Sequence, residues 1–368
     1  QMCIRDSSAA NIVYPVFNLL LAVGIMFATG GSAVVSKKLG EGKKEEAMED
    51  FSFLTAVGVA LSVLLMIATL LFHNQISLFL GSSERILDYC NAYLIYLVLF
   101  APACMLQSLY QSFFVTAGKP RLGLVLTVIA GLANAFFDYF FLAVCGMEIE
   151  GAAIATGIGQ MIPAVVGTVY FFFFKGELHF VPFHFHGATL KQSCFNGSSE
   201  MVSNLANAII TYLFNIILMR IAGENGVAAI TIILYAQFLF NSLYLGFSIG
   251  VAPVIGFQYG AKNRDQLKSL YKICNCFVIA SSGVISFFSW LLSDGIASIF
   301  VPDRGETYVM ASEGLRIFAL SFLFSGFNIF SSSLFTALSD GKTSAIISFG
   351  RTCVFIILSL MILPNILG

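Results

Sequence analysis

Charge is scarce in this sequence. Asp, Glu, Lys and Arg make up 11% of it, against about 25% in an ordinary soluble domain. Together with 58% hydrophobic residues and a mean hydropathy of +0.88, that shortage excludes a water-soluble globule and leaves a polytopic membrane protein. Histidine numbers only four, and no apolar run contains one. An intramembrane enzyme built on a metal cluster or a nucleophile–base pair at one depth therefore has nothing to work with. No Gly-rich phosphate loop follows a strand pattern, so ATP hydrolysis is excluded. No Cys-x-x-Cys pair exists among the eight cysteines. Cys274 and Cys276 are two apart and fall on different helix faces, so the cysteines read as small packing residues without a disulfide framework or zinc site. His184 and His186, with His179 nearby, supply too few ligands for a metal. No cofactor is expected, and bases clustered in loops set topology and give no nucleic-acid surface. Residues 1–7 read as neither a signal peptide nor a cytoplasmic tail and are left out of the fold argument.

What is present is long apolar runs, each long enough to cross a bilayer as a helix. They cover roughly 9–35, 51–72, 89–114, 122–144 and 151–174, then 192–221, 227–257, 270–292, 309–338 and 343–363. That predicts about ten helices and an all-α membrane protein. Pro15, Pro102, Pro163 and Pro253 interrupt runs and predict kinks.

The loop after the first run and every second loop beyond it hold fourteen bases, among them Lys37, Lys38, Lys43, Lys44, Lys262, Arg264, Lys268 and Lys272. The other loops hold four, Arg85, Arg220, Arg304 and Arg316. The richer set faces the cytoplasm. An internal repeat accompanies this pattern. Gly30–Val35 leading into Leu39–Glu45 matches Gly250–Ile255 leading into Tyr259–Asp265 at an offset of 220, and Phe114–Arg121 faces Phe335–Lys342 at 221. Both pairs end runs that enter cytoplasmic loops, so the halves share one orientation about an axis along the membrane normal. The expected organisation is an N-terminal lobe at 8–175, a cytoplasmic link at 176–191 and a C-terminal lobe at 192–368. Pairing the halves predicts six plus six helices in a complete protein, with the first and last absent here.

Asn134 and Asp138 lie four residues apart in the fourth run and share a helical face. A carboxylate at membrane depth costs at least about 2.5–3.5 kcal/mol, so it needs a partner or a visiting cation. Thr156, on the returning helix, falls at the depth of Asp138, and Gln160 at that of Asn134. A carboxylate, an amide oxygen and a hydroxyl form a set suited to a hard monovalent cation or a bound proton, although Asn and Thr also serve as simple interhelical clamps. Glu200 opens the sixth run, with Asn204 and Asn207 following on its face. It is placed either to meet a cationic cargo in a cavity or to be solvated at the cytoplasmic interface. Tyr235, Gln237 and Asn241 are weaker cavity candidates. Phe171–Phe174 reads as a lipid-facing or interfacial stretch.

The order of these features resembles the bacterial multidrug and toxic compound extrusion (MATE) transporters. The likeness rests on Gly30–Lys44, Asn134-x-x-x-Asp138, Gly151–Gln160, Glu200, Gly250–Arg264 and Arg351 with Leu363-Pro364. It implies two six-helix lobes and a monomer in the bacterial plasma membrane. That monomer exports small organic cations in antiport with Na⁺ or H⁺, the coupling ion standing where a cofactor would. It also implies that Asn134, Asp138 and Thr156 belong to a coupling site whose first-helix Asp is absent from this sequence. Glu200 matches an acidic position of the family's seventh helix, whereas the tenth-helix acid of some members has no counterpart here. A lipid-linked oligosaccharide flippase of similar architecture is the alternative. It would favour buried bases, which the runs largely lack.

Overall fold

The computed structural model describes residues 2–83, 86–147, 149–302 and 304–367. Arg85, assigned above to an outer loop, lies outside the described residues. Those that are described form helices, turns and loops, with no strand among them. Two compact units result, 1–201 and 202–368.

The first unit begins with α1 (Met2–Gly40) and α2 (Lys44–Phe79). α3 (Leu87–Leu99) and α4 (Ala101–Thr116) form one crossing bent by 47°. The bend falls where Pro102, in the first turn of α4, cannot donate back to the preceding helix. α5 (Pro120–Tyr139) runs into a π-helical turn, Phe140–Val144, and α6 (Ile149–Phe173) returns. α7 is assigned over Gly187–Gly260, 74 residues. At ~1.5 Å per residue that is more than three times the ~30 Å hydrocarbon thickness, so it must be two crossings. The break is at Gly223, whose φ of 62° and ψ of −153° belong to no helix. α8 (Arg264–Leu291) and the short α9 (Ser293–Phe300) follow. α10 (Glu306–Ala319) and α11 (Phe322–Ala337) make a second bent crossing, at 55°. α12 (Gly341–Phe349), a π turn at Gly350–Val354 and α13 (Phe355–Leu367) end the described chain. Counted this way, the described residues make ten crossings.

Helix ends recur along the chain at the offset read from the sequence. α1 and α7 end at Gly40 and Gly260, α2 and α8 begin at Lys44 and Arg264, and α5 and α12 begin at Pro120 and Gly341. The turns agree in detail. Gly42 and Lys262 both have positive φ (79° and 54°), as do Gly118 and Ser339 (69° and 63°). Glycine adopts this left-handed conformation freely, whereas the lysine and serine adopt it at a cost.

The core of the first unit is aromatic and lies near the cytoplasmic ends of its helices. Phe51 meets Phe113 edge-on at 4.8 Å, and Phe114 stacks on Phe171 at 5.0 Å. Phe171 is thus fully buried, while Phe172, Phe173 and Phe174 are exposed. The lipid-facing assignment fails for the first of the four because one residue in each helical turn must face the bundle. The connecting segment between α6 and α7 covers this core. Phe180 stacks on Phe51 at 5.1 Å, and the Val181 amide donates to Ser52 Oγ at 3.0 Å. On the flank, Gly30 of α1 and Gly197 of α7 meet so closely that a Cβ on either would overlap the other helix's backbone.

Candidate functional site

The candidate site lies in the first unit, where α5 and α6 pack as antiparallel neighbours. Gly159 permits the approach: a Cβ there would stand 3.1 Å from both the Ala130 carbonyl oxygen and Asn134 Cβ. Two residues earlier, on another face of α6, Gly157 leaves the space that the Phe100 ring fills, and a Cβ would overlap that ring. Phe100 sits at the bend between α3 and α4. Backbone contact between α5 and α6 is therefore set by small residues, as membrane helix pairs require without a hydrophobic drive to associate.

This packing puts Asn134 and Thr156 together. Asn134 Nδ2 donates to Thr156 Oγ1 at 3.4 Å, which leaves Asn134 Oδ1 as an acceptor. Asp138, one turn further on α5, is half-buried and bonds to neither. No Lys, Arg or His among the described residues lies within ion-pair distance of its carboxylate. Gln160 is buried, but no hydrogen bond joins it to Asn134. The expected convergence is thus a bonded amide–hydroxyl pair with an unpaired carboxylate one turn away. One tyrosine that the sequence reading did not include lies in its electrostatic neighbourhood. Asp138 lies within electrostatic reach of Tyr93 on α3, and Tyr93 within reach of Tyr14 on α1. No spacing in the sequence links three residues on three helices. The donors present, one carboxylate, one free amide oxygen and an aliphatic hydroxyl, are all oxygen, which fits a hard monovalent cation or a proton on Asp138.

The remaining candidates are dispersed. Glu200 is half-buried on α7, one turn from Gly197, and has contacts of its own. In the second unit Asn204 is exposed and also engaged. Tyr235 is 61% exposed and stacks on Phe300 of α9 at 6.2 Å and 6°, so it faces outward from its unit. Gln237 is half-buried. Asn241 is half-buried, and its Oδ1 is buried without a hydrogen-bond partner. Ser248, two turns on, has a buried hydroxyl oxygen in the same condition. Buried acceptors left this way usually meet water or a ligand.

One cluster escaped the sequence reading altogether. Asp50 of α2 is completely buried. Its Oδ2 stands 2.6 Å from Lys38 Nζ. Its Oδ1 takes His186 Nδ1 at 3.0 Å and the Thr189 hydroxyl at 3.1 Å. Lys38 also reaches Glu46 at 3.4 Å, and His186 Nε2 lies 3.8 Å from Glu49. The His-x-His stretch is thus an anchor of the connecting segment. Only the fold reveals the burial of Asp50.

Comparison with known proteins places these features in a family. The sequence model of the MatE family matches residues 6–140 and 201–361. The chain is 23% identical over 362 residues to the multidrug export protein MepA of Staphylococcus haemolyticus, covering 98% of this chain and 79% of that protein. It is also 23% identical over 366 residues to MepA of Staphylococcus aureus. Among solved structures, a MATE transporter in complex with MaD3S superposes with a TM-score of 0.90 at 20% identity, over 95% of this chain and 78% of that one. A MOP superfamily transporter from Pyrococcus furiosus, described as having reversed binding-pocket polarity, superposes at 0.87 and 20% identity, over 96% and 80%.

Proposed function

We propose that this chain, which belongs to the MatE family, exports amphipathic organic cations from a bacterial cell in exchange for inward Na⁺ or H⁺. The chain is a multi-pass membrane protein, and the relatives that resemble it along almost its whole length are multidrug export proteins. The observation that carries the antiport reading is the unpaired Asp138 carboxylate on a membrane helix, beside the Asn134–Thr156 pair. An acid so placed stays ionised only while something positive attends it, and no side chain among the described residues does so. A cation or proton arriving there neutralises the charge and changes the relative stability of the conformations that expose or occlude it. Cargo bound elsewhere need only prefer the opposite conformation, and exchange follows from that difference in affinity. Asn134 and Thr156 position oxygen donors beside it. Glu200 is the proposed contact for cationic cargo, and the transporter works as a monomer.

The test is dye efflux from proteoliposomes, driven in turn by a Na⁺ gradient and a pH gradient. Asp138→Asn is expected to lose at least ~10-fold in driven efflux under whichever gradient powers the wild type, while dye binding persists. Undiminished driven efflux by a normally inserted Asp138→Asn protein would remove Asp138 from the mechanism. The oligosaccharide-flippase alternative receives less support, since the multidrug relatives point the other way. Transport of an anionic lipid-linked sugar but no cationic dye would restore it.

A further inference from the structure

We infer that the cytoplasmic end of the second unit carries a binding seat for one anionic phospholipid, with its phosphate on α8 and an acyl chain in the groove beside it. The first observation is a groove of about 230 Å³ between the ends of α7, α8 and α11, lined by Ile255, Leu267, Lys268, Tyr271, Leu334 and Leu338. It is smaller than the roughly 300–1,000 Å³ of a drug-sized pocket. Its walls are wholly apolar, Lys268 and Tyr271 lining it with their carbon atoms. That shape and chemistry suit a single hydrocarbon chain better than a whole drug molecule.

The second observation is charge. Arg264, Lys268 and Lys272 recur every four residues and form one ladder along α8, about one helical turn apart. All three are exposed, as is Lys262 just before them. Lys268 belongs to both the ladder and the groove, so a headgroup on the ladder sits at the groove's mouth. The first unit has no such ladder: at the 220-residue offset Arg264 corresponds to Lys44, which pairs with Glu177, while Lys268 and Lys272 correspond to Met48 and Ser52. Among the described residues no carboxylate lies within ion-pair distance of Lys262, Arg264, Lys268 or Lys272. Asp265 is the only acid in the first turn of α8. The nearby Asp340 has both oxygens engaged by Thr343, through its amide at 3.1 Å and its hydroxyl at 2.7 Å.

Membrane orientation alone does not explain this arrangement. It requires bases on the cytoplasmic side, and it sets neither their alignment nor their lack of partners. Bases in the first turns of a helix also oppose its dipole. The repeat-related α2 begins with Lys44 but follows it with Glu45 and Glu46 in the first turn, where α8 has only Asp265. Unpaired bases at the inner surface beside an apolar groove complement a lipid phosphate and its chain. Tyr271, 45% exposed, stands where a phenol bridges headgroup and hydrocarbon.

The experiment measures binding of fluorescent phosphatidylglycerol to the detergent-solubilised full chain. Phosphatidylcholine and soluble glycerol phosphate serve as competitors. The triple variant Arg264→Gln/Lys268→Gln/Lys272→Gln is expected to bind phosphatidylglycerol roughly 100-fold more weakly. Leu267→Trp, which fills the groove, is expected to lose ~10-fold, and Lys43→Gln nothing. Phosphatidylcholine and glycerol phosphate are expected to compete poorly. Unchanged affinity in the triple variant, or competition by phosphatidylcholine as effective as by phosphatidylglycerol, overturns the seat. So does glycerol phosphate binding as tightly as the lipid, or a Leu267→Trp protein that binds normally. Should the triple variant misfold, Lys268→Gln alone, with Lys268→Arg as its rescue, gives the same reading. Binding is measured without transport, so failure here leaves the efflux proposal untouched.

Discussion

His186 Nδ1 lies 3.0 Å from Asp50 Oδ1 and thereby fastens the segment between α6 and α7 to the buried end of α2. The Lys38 ammonium holds the opposite oxygen of the same carboxylate. Asp50 is a buried charge with several partners, and removing such a group strands the others. Asp50→Ala is expected to destabilise the first unit by about 3 kcal/mol and to free the connecting segment. His186→Ala, which removes one half-exposed partner, should cost less. Limited proteolysis within residues 174–186 is the readout: both variants should be cut faster than wild type, Asp50→Ala the more so. Equal cleavage rates would show that the apolar contacts of Phe180 and Phe51 hold the segment without the ion pair.

The candidate site depends on how α6 is seated, and Gly157 leaves the room that the Phe100 ring takes beside it. Gly157→Val drives a side chain into the Phe100 ring and is expected to separate Thr156 from Asn134. Overpacking of this kind costs about 1–3 kcal/mol, so the protein should insert, melt at a lower temperature and lose most of its driven efflux. Gly131→Ala is the control, because open space surrounds that position. Comparable efflux by the two variants would sever Thr156 from function.

Ser339 shares its left-handed turn with the repeat-related Gly118, but it carries a Cβ there and a buried hydroxyl without a hydrogen bond. Ser339→Gly relieves both and is expected to stabilise the protein by about 1 kcal/mol. Thermal unfolding in detergent measures it, and a lower midpoint than wild type would contradict the assignment.

The outer end of the second unit should be sensitive to acid. The Ser312 hydroxyl hydrogen-bonds Asp294, and Arg316 reaches its other oxygen at 2.6 Å. Together they hold the Asp294 carboxyl below the usual carboxylate range, the Ser312 bond foremost. A group depressed in the folded state stabilises at all pH above its unfolded pKa, near ~3.9, and that stabilisation disappears as pH falls through the folded value. The thermal midpoint of wild type should therefore exceed that of Asp294→Asn by a constant margin above pH ~5 and converge with it below pH ~4. A margin unaffected by acid would mean that the carboxylate contributes through packing alone.

Apolar runs and loop patterns by themselves determined the helical class, the number of crossings and the recurrence at 220 residues. These properties are legible because a helix in hydrocarbon must satisfy its backbone internally, so length and polarity decide each crossing without reference to distant parts of the chain. The meeting of Asn134, Asp138 and Thr156 was legible only to within a turn: residue count put Thr156 at the depth of Asp138, whereas it bonds Asn134. What only the tertiary structure decided concerns partners from remote segments. Burial of Asp50 needs α1, α2 and the connecting segment together. The entry of Phe171 into the core depends on which side of α6 meets α4. The unpaired state of Asp138, the nearness of Tyr93 and the groove beside Lys268 all follow from helix rotation and close approach. Helical periodicity restricts rotation to a face, but packing among small and large side chains selects the face.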